Sequence, residues 1–547
     1  MEPKLRLLSA ATQRLPELTT NAFSVNHGFR LKNNVLTVIT CLILAACQKE
    51  NNRIIPLETM DESFRVFMLE NFDLNSDGVI SVDEAALVKE MDVSGREIHS
   101  LDGIQYFPNL EMLNCSFNPL TSIDVSQNVM LKFLNCGNTF IKRDLNVSSN
   151  HELETLLCAD NRIESLKINP ELKKLDISNH SIANLDFSGH KSLKSLNCSG
   201  GDVLINLDVS HTVLDTLECA SPKLALINLE GCSSLKKISY SGQSVSLDLT
   251  HCPNLEYISA DNISTLDVSH CPLLKTLIIS NSYLMDLDLK KNAALEDLSI
   301  DHLSSVKNGI DLSANFQLVN LFITNALKGS YLDLSNRNRL EFLYVNAYPT
   351  LESCNLEGCS SLKEAVVHGG VLTSFNLKGC TALSLLDCNG NQFTELDIED
   401  CKVLTELDVS ACYKLTSIKT NSEQLSKINC SNTALTDWSF LNNARLKELN
   451  CSYVNLTSLD LSKCPSLEIL ICNDNSLTTL DVSHCPGLSI LNCKTNRLQP
   501  SLDVSKCHLL TTLDCMFNQG LTELILYRNH SITTLDKDNQ TQIVLSE

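Results

Sequence analysis

One hydrophobic pattern repeats along most of the chain, from about residue 91 to residue 535. The pattern is L-x-x-L-x-C, in which an aliphatic residue often replaces the cysteine, and Leu110 to Cys115 is an example. Most steps between successive copies are 21 or 22 residues, and a second half-pattern, L-x-x-L-D-V-S, lies between them. Repetition at this period is typical of a solenoid, because stacked turns build a continuous core that no single turn can build alone.

Each turn pairs a strand with a second segment that is too short for a helix. The leucine and cysteine of L-x-C alternate with an outward residue, which is the period of a β-strand. A repeat of 21 or 22 residues leaves little room for a helix opposite the strand, so we expect short 3₁₀ or extended convex segments there. The predicted fold is a mostly β repeat solenoid of about 21 turns over residues 93–535, closed by a C-terminal capping strand over residues 536–547.

The same spacing explains 20 of the 24 cysteines of the chain. Eleven of them, from Cys115 to Cys515, take the strand position in the core. Nine more follow the inward residue of the second half-pattern by three positions: Cys232, Cys252, Cys271, Cys359, Cys380, Cys401, Cys464, Cys485 and Cys507. Other turns have Asn128, Asn150, Asn292 or Asn315 at that place, which predicts a stacked ladder. We expect buried free thiols. Disulfides between neighbouring turns are the alternative, although side-by-side strand positions orient the Cβ atoms poorly.

Three His-Cys-Pro triplets, which begin at His251, His270 and His484, have the residue types of a zinc site. Adjacent residues of an extended segment point to opposite faces. The histidine and cysteine of a triplet therefore should not converge on one metal ion, and we predict no zinc site.

A twelve-residue segment over residues 73–84, D-L-N-S-D-G-V-I-S-V-D-E, resembles an EF-hand calcium loop at every diagnostic position. Ca²⁺ takes six to eight hard oxygen ligands, and this type of loop supplies them at positions 1, 3, 5, 7, 9 and 12. Those positions here are Asp73, Asn75, Asp77, the Val79 carbonyl, Ser81 and Glu84. The resemblance implies one bound Ca²⁺ in a small helical cap over residues 59–92. A surface turn of similar sequence is the alternative.

The N-terminal segment has the layout of a secretory signal. Arg30 and Lys32 precede an apolar run from Val35 to Ala46, which is too short to span the ~30 Å hydrocarbon core of a bilayer. The sequence L-A-A-C that ends at Cys47 resembles a bacterial lipobox, which implies cleavage before this cysteine and lipid anchoring through it. We predict a leader over residues 1–46, whose first 30 residues reflect a misassigned start, and a tether over residues 47–58. A buried helix or a plain signal peptide is the alternative.

Composition narrows the classes of function. The chain has 43 Lys and Arg against 65 Asp and Glu, a net charge of −22, which argues against a nucleic-acid partner. The sequence contains no glycine-rich phosphate loop, no H-E-x-x-H and no G-x-S-x-G motif. Pairs of carboxylates are frequent because aspartate belongs to the repeat. We therefore predict no catalysis and keep an enzyme as an alternative.

The repeats resemble the leucine-rich repeats of internalin-like bacterial proteins, particularly surface lipoproteins with an EF-hand segment before the repeats. The resemblance covers residues 91–535 and departs from the family in its strand cysteines and its aspartate-rich second half-pattern. It implies a monomeric binding scaffold in the bacterial cell envelope, lipid-anchored at the outer membrane and exposed at the surface. The ligand implied for its concave face is a protein or a glycan. A purely structural cell-surface protein is the alternative.

Apolar outward residues concentrate in the middle turns. Residues that flank each inward strand residue are mostly polar elsewhere. The predicted ligand-binding surface consists of Tyr257, Ile278, Phe322, Phe342, Tyr344, Val366 and His368. We expect Phe322 and Tyr344 to stack in one column of adjacent turns, with Phe342 on the same face, so that three rings expose apolar area that a ligand would cover. The alternative is that these are scattered surface residues of a degenerate repeat.

Overall fold

The computed structural model describes residues 54–301, 310–324, 329–346, 350–368 and 370–547. The predicted leader and Cys47 lie outside these residues. The chain forms two compact units, one up to Ser234 and one from Leu235 onward. Within the described residues, no helix has the length and apolar character that crossing a bilayer requires.

Two helices precede the repeats in the first unit. Helix α1 spans Glu62–Phe72 and helix α2 spans Val82–Leu87. Asp61 caps α1 because its carboxylate accepts a hydrogen bond of 3.1 Å from a backbone amide in the first turn. Ser81 caps α2 through a capping box with Glu84, in which each side chain binds the other residue's backbone amide. The sequence therefore specifies where both helices begin.

The helices pack against the first turns of the solenoid. Helix α1 buries Phe64, Phe67 and Met68, as its apolar spacing predicts. The ring of Phe72 lies 5.8 Å from that of Phe107 in the first turns, measured between centroids. This contact covers the apolar start of the repeat core, which would otherwise face water.

Parallel strands stack along the first unit in two rows. The main sheet of this unit consists of Glu90–Asp92, Met112–Asn114, Phe133–Asn135, Thr155–Leu157, Lys174–Asp176, Ser195–Asn197 and Thr216–Ala220. A second row, built from the other half of each turn, consists of Lys142–Asn146, Arg162–Lys167, Asn184–Asp186, Asn206–Asp208 and Leu226–Asn228. A 3₁₀ helix spans Ile104–Tyr106. The first main strand thus begins three residues before the predicted start of the solenoid.

The second unit continues the same architecture. Its main sheet consists of Lys237–Leu247, Tyr257–Leu266, Thr276–Ser280, Asp297–Asp301, Asn320–Thr324, Phe342–Asn346, Glu364–Val367, Leu385–Asp387, Glu406–Asp408, Lys427–Asn429, Glu448–Asn450, Ile469–Ile471, Ile490–Asn492, Thr512–Asp514 and Thr534–Asp536. Its second row consists of Tyr331–Asp333, Ser353–Asn355, Ser374–Asn376, Glu395–Ile398, Ser417–Thr420, Ser501–Asp503, Glu523–Tyr527 and Gln542–Ser546. A 3₁₀ helix spans Ser439–Leu441. The predicted parallel solenoid with 3₁₀ or extended second halves is confirmed.

The core follows the predicted alternation. In the strand Met112–Asn114 the middle residue, Leu113, is buried and its two neighbours are half-exposed. Cys115, two positions after Leu113, is buried as well. Leu113 pairs with Leu134 of the next strand, so the inward leucines stack in a continuous column. Most turns therefore add one leucine and one cysteine, isoleucine or valine to a shared apolar core, while others add residues such as Tyr240 or Ala260.

Buried asparagines join neighbouring turns, a feature that the sequence analysis missed. Asn496 donates hydrogen bonds of 3.0 Å to the carbonyls of Cys472 and Cys493, and its Oδ1 accepts one of 3.0 Å from the Leu477 amide. Similar bonds are made by Asn118, Asn161, Asn391, Asn475 and Asn518. Each lies three residues after the inward strand residue, and each satisfies backbone groups that the irregular part of the turn leaves unpaired.

The aspartate of the second half-pattern closes a turn. Asp481 Oδ1 accepts a hydrogen bond of 2.9 Å from the backbone amide of Ser483, and this serine lowers the pKa of the aspartate. The same arrangement occurs at Asp460 and Ser462. Aspartate side chains favour such turns because they bind their own backbone two residues further on. The repeated aspartates are therefore structural.

The last strand, Gln542–Ser546, pairs in parallel with Glu523–Tyr527 in the second row. Ile543, Val544 and Leu545 are nevertheless about half exposed. The predicted capping strand exists, but its apolar side chains are not packed into the core.

Candidate functional site

The predicted calcium loop is organised by its own backbone amides. Asp73 accepts hydrogen bonds from the amides of Asp77 (3.2 Å) and Gly78 (2.9 Å). Asn75 Oδ1 accepts one of 2.9 Å from Asp77, and Asp77 Oδ1 accepts one of 3.0 Å from Val79. Gly78 has a φ of +85°, a conformation that glycine adopts without strain. These bonds fix the oxygens of three predicted ligands within one tight loop.

Glu84 closes the loop from its far end. Its Oε2 accepts hydrogen bonds of 2.8 Å from both the amide and the hydroxyl of Ser81, and its Oε1 accepts one of 3.0 Å from the amide of Leu74. Ile80, which directly precedes Ser81, is fully buried, and its carbonyl accepts a hydrogen bond of 2.9 Å from the Ile55 amide. The buried Ile80 and Glu84, the last of the predicted ligands, are therefore held in place.

The donor set fits a calcium ion in its chemistry. Carboxylate, amide, hydroxyl and backbone carbonyl oxygens make up all six predicted positions, and Ca²⁺ prefers such ligands. Among the described residues, no group of three or more His, Cys, Asp or Glu side chains is close enough to hold a metal ion. Asp73, Asp77 and Glu84, the three carboxylates predicted as ligands, therefore do not form such a group.

The middle of the main sheet brings several predicted ligand-binding residues together. Phe322 pairs in register with Tyr344, and Tyr344 pairs with Val366 on the next strand. Phe342 lies on the same strand as Tyr344, two positions earlier, and His368 follows the strand of Val366. Neighbouring strands lie about 4.8 Å apart, so these five side chains form one cluster. We call Phe322, Phe342, Tyr344, Val366 and His368 the main-sheet cluster.

The cluster exposes less apolar area than the sequence predicts. Phe322 and Phe342 are half-exposed, but Tyr344 is only 7% exposed and Val366 only 1%. Tyr344 lies between its register neighbours, 6.4 Å from the His368 ring by centroids, and its hydroxyl accepts a hydrogen bond of 3.1 Å from Asn346. The expectation that three rings are exposed is wrong for Tyr344, because large side chains on the neighbouring strands cover its ring.

A polar network borders the cluster. His368 Nε2 lies 2.7 Å from Asp387 Oδ2, and Asn389 Nδ2 donates to Asp387 Oδ1 at 3.0 Å. The Lys363 ammonium lies 5.9 Å from the centroid of the Phe342 ring and 2.8 Å from Glu341. The two half-exposed phenylalanines thus have a rim of ordered polar and charged groups.

Two predicted residues lie apart from the cluster. Ile278 is in the same column as Phe322 but is separated from it by Ser299 on an intervening strand. Tyr257 lies one strand further away and contacts Lys237, whose ammonium is 5.4 Å from the ring centroid. Both side chains are half-exposed. They belong to the same face of the sheet but not to the cluster.

The sequence analysis missed further apolar residues on this face. Leu385 is half-exposed and pairs with Glu364. Ile469 and Ile471 flank the inward Leu470, and Ile469 pairs with Ile490 on the next strand. The rule that outward residues flank each inward strand residue identifies all of them, so the outward positions outside the middle turns are less uniformly polar than the sequence analysis predicts.

The cysteine ladder forms as predicted. Cys464 Sγ donates to the Leu441 carbonyl at 3.0 Å, and Cys359 Sγ donates to the Leu334 carbonyl at 3.1 Å. Asn292, at the equivalent position, donates to two carbonyls of the preceding turn at 2.9 Å each. Burial raises the pKa of Cys359 to about 11, so the thiol stays protonated and available as a donor. All cysteines of the described residues are free and buried.

The His-Cys-Pro triplets place their two candidate ligands on opposite faces. His251, His270 and His484 are exposed, whereas the cysteine that follows each of them is buried in the ladder. The nearest carboxylate oxygen to His484 is that of Asp481, 3.9 Å away. These triplets therefore do not bring histidine and cysteine together.

Comparison with known proteins identifies the fold. No protein-family model and no curated protein sequence matches the chain. Among solved structures it is similar to a TDR receptor, with 18% identity, coverage of 85% of this chain and 91% of that one, and a TM-score of 0.52. It is also similar to the functional domain of InlJ from Listeria monocytogenes, described as including a cysteine ladder, with 22% identity, coverage of 88% and 83%, and a TM-score of 0.37.

A third similar structure is an LRR protein from Leptospira interrogans, with 17% identity, coverage of 77% of this chain and 93% of that one, and a TM-score of 0.38. At these identities, similarity to solved structures establishes the fold alone. The stacked parallel strands, the 21- to 22-residue period and the similarity with a TM-score of 0.52 establish that the fold of the chain is a leucine-rich-repeat solenoid.

Proposed function

We propose that this protein is a binding scaffold that recognises a protein ligand through the face of its main sheet, and that it performs no catalysis. The observation that carries the proposal is the main-sheet cluster. Two half-exposed phenylalanines, Phe322 and Phe342, stand on adjacent strands of an otherwise mostly polar face.

The surroundings of the two rings support a protein ligand. Protein interfaces have an apolar centre inside a polar rim, and aromatic anchors near the centre supply much of the affinity. Here the rim consists of Lys363 and Glu341 on one side and His368 and Asp387 on the other. Because Lys363 contacts Glu341 and His368 contacts Asp387 within the scaffold, a ligand meets a pre-organised surface and little side-chain entropy is lost on binding.

A quantitative capture experiment tests this proposal. Extracellular protein extracts are passed over the immobilised parent and over the double variant Phe322→Ala/Phe342→Ala. We expect the parent to enrich a discrete protein and the double variant to bind it at least about tenfold more weakly, since each anchor contributes on the order of 2 kcal/mol. Tyr344 is left unchanged because its burial makes it part of the fold.

The matched control is Tyr283→Ala/Tyr413→Ala, which removes two exposed aromatic side chains that lie outside the main-sheet strands. This variant should bind the enriched protein as the parent does. Equal binding by both double variants would show that the ligand does not use the main-sheet cluster.

The loop over residues 73–84 is proposed to bind one Ca²⁺ and to stabilise the cap. Asp73, Asn75, Asp77, Ser81, Glu84 and the Val79 carbonyl would hold the ion. Glu84 is the ligand expected to bind through both oxygens, so Glu84→Gln should weaken calcium binding by at least about tenfold in calorimetry.

Asp83→Asn is the control for the calcium test. Asp83 is exposed, is adjacent to Glu84 and stands at a loop position that is not a ligand. It should bind calcium as the parent does, and both variants should keep the melting transition of the repeats. A parent that gives no calcium heat at millimolar concentration, or equal losses in the two variants, would refute the site.

The scaffold is further proposed to be a lipid-anchored protein of the bacterial cell envelope, surface-exposed at the outer membrane and attached through Cys47. The L-A-A-C sequence that ends at Cys47 supports this proposal. Mass spectrometry of the membrane-extracted protein should identify an N-terminal peptide that begins at an acylated Cys47. An unmodified peptide from residues 1–46 in the mature protein would contradict it.

A further inference from the structure

The single tryptophan of the chain, Trp438, takes the place of a repeat leucine in the second unit. The equivalent position in the next three turns is Leu459, Leu480 and Leu502. Leu480 and Leu502 are buried. An indole is much larger than the leucine side chain that this position accommodates, and the Trp438 ring remains half-exposed. Leu459, in the turn that directly follows, is half-exposed like the indole, so the substitution enlarges an apolar surface that is already accessible in this part of the unit.

The backbone of this turn adapts to the tryptophan. A 3₁₀ helix, Ser439–Leu441, stands where the neighbouring turns continue in extended form. The ring of Phe440, which is buried, lies 5.4 Å from the indole by centroids, with 37° between the planes. The indole thus rests on a buried ring and is supported from within the fold.

A depression of about 340 Å³ opens beside the indole, between the Trp438 turn and the turn that follows it. Its apolar lining includes Trp438 and Leu459. Its polar lining includes Asn442, Ser458, Asp460 and Lys463, all of which are exposed. This volume is at the lower end of the range of about 300–1,000 Å³ for small-ligand pockets, so it suits one or two small ring units.

The polar lining offers donors and acceptors with no excess charge. Asp460 Oδ1 accepts a bond of 2.9 Å from the Ser462 amide. No hydrogen bond within the described part of the chain uses the side chain of Asn442, Ser458 or Lys463. Hydroxyl groups need both donors and acceptors around them, and this set provides both. Since the charges of Asp460 and Lys463 oppose each other, neither a cation nor an anion is favoured.

We propose that the Trp438 depression binds a neutral hexose unit whose C–H face stacks on the indole. Aromatic rings present a broad apolar face, and sugars such as β-galactosides combine one continuous face of C–H bonds with a rim of hydroxyls. The hydroxyls lie within the reach of Asn442, Ser458, Asp460 and Lys463. This site is separate from the main-sheet cluster and does not depend on it.

The test uses methyl β-D-galactopyranoside as the probe. Saturation-transfer NMR on the full protein should detect the hydrogens of its C–H face, with half-saturation at about 1 mM, as a shallow site for one small ring implies. Because the chain has one tryptophan, its fluorescence reports on this site alone. The emission of Trp438 should change with the same concentration dependence.

The matched variants localise the binding. Trp438→Leu restores the residue of the neighbouring turns and should remove saturation transfer, whereas Tyr413→Ala should leave it unchanged because Tyr413 lies outside this depression. Lys463→Ala and Asn442→Ala alter exposed side chains only and should each weaken binding several-fold. They keep the test valid if Trp438→Leu fails to fold.

Four results would overturn the proposal. The first is a lack of saturation transfer from the galactoside and also from the methyl glycosides of glucose and mannose. The second is transfer that persists in folded Trp438→Leu, or in Lys463→Ala and Asn442→Ala at the strength of the parent. The third is a change of tryptophan emission with choline but with none of the sugars, which would indicate a cation site. Loss of sugar binding in Phe322→Ala/Phe342→Ala would also contradict a separate site.

Discussion

His180 shows how a place in the repeat constrains one side chain. It lies three residues after the inward Ile177, where the preceding turn has Asn161. Its Nδ1 accepts a hydrogen bond of 2.9 Å from the Ile182 amide, but its buried Nε2 has no hydrogen-bond partner in the described structure. Burial lowers the pKa of His180 to about 4, so the folded protein keeps this ring neutral where free histidine is half-protonated near pH 6.5.

His180 should therefore make the protein sensitive to mild acid. The unfolded chain binds a proton at His180 more readily than the folded one, so the free energy of unfolding should fall as pH drops from about 6.5 towards 4. A shift of this size corresponds to about 3 kcal/mol once the pH is below both pKa values. In His180→Asn, which restores the residue of the neighbouring turn, chemical denaturation should show higher stability at pH 4.5 and a weaker pH dependence. Parallel pH profiles for parent and variant would exclude this role.

At the same scale, sequence predicts where a side chain points better than whether it is exposed. Phe322, Phe342 and Tyr344 all lie on the predicted face of the main sheet. Only the two phenylalanines are accessible enough to serve as anchors. The cover over Tyr344 comes from residues of adjacent turns that are about 20 positions away in the chain, so the local pattern could not predict it.

At the scale of elements, each turn is joined to its neighbours by ladders that run across the strands. One ladder is made of inward leucines, one of asparagines that follow the strands, and one of cysteines and asparagines beneath the second row. The regular spacing of the leucines predicted the first ladder. The third was predicted because cysteine is a rare residue, so its regular spacing is easy to recognise. The sequence did not predict the second ladder, since asparagine is also common at exposed positions. An asparagine of this ladder is buried because its side chain binds backbone carbonyls of another turn, which the local sequence does not reveal.

The asparagine ladder can be tested at Asn496. Asn496→Ala removes three donated hydrogen bonds and one accepted bond. It leaves the buried Leu477 amide without a partner, and the carbonyls of Cys472 and Cys493 keep one partner each, Asn475 and Asn518. We expect a loss of about 2–4 kcal/mol in the free energy of unfolding, measured by chemical denaturation. Asn442→Ala, which truncates an exposed asparagine of the same unit, should cost less than about 0.5 kcal/mol. Equal losses would mean that the ladder contributes little stability.

At the scale of the whole molecule, the 21- to 22-residue period was enough to predict the solenoid and its inward residues, and the EF-hand-like segment over residues 73–84 predicted the helical cap. The pattern did not predict a site at Trp438, because a single substitution in a repeat cannot be distinguished from ordinary sequence variation. In the structure the same departure replaces an extended segment with a 3₁₀ helix and opens a depression. Both proposed ligand sites, the main-sheet cluster and the Trp438 depression, lie where the sequence departs from the repeat.

Site-specific photo-crosslinking tests the central claim, recognition of a protein by the main-sheet face, most directly. A benzophenone amino acid is introduced in place of Phe342, and in a second protein in place of Tyr413, which is 65% exposed and lies outside the main-sheet strands. Both proteins are irradiated in the same extracellular protein extract. The account predicts a crosslinked product of discrete mass from position 342 and none of that mass from position 413. The same product at both positions, or one only at position 413, would contradict recognition by the main-sheet face.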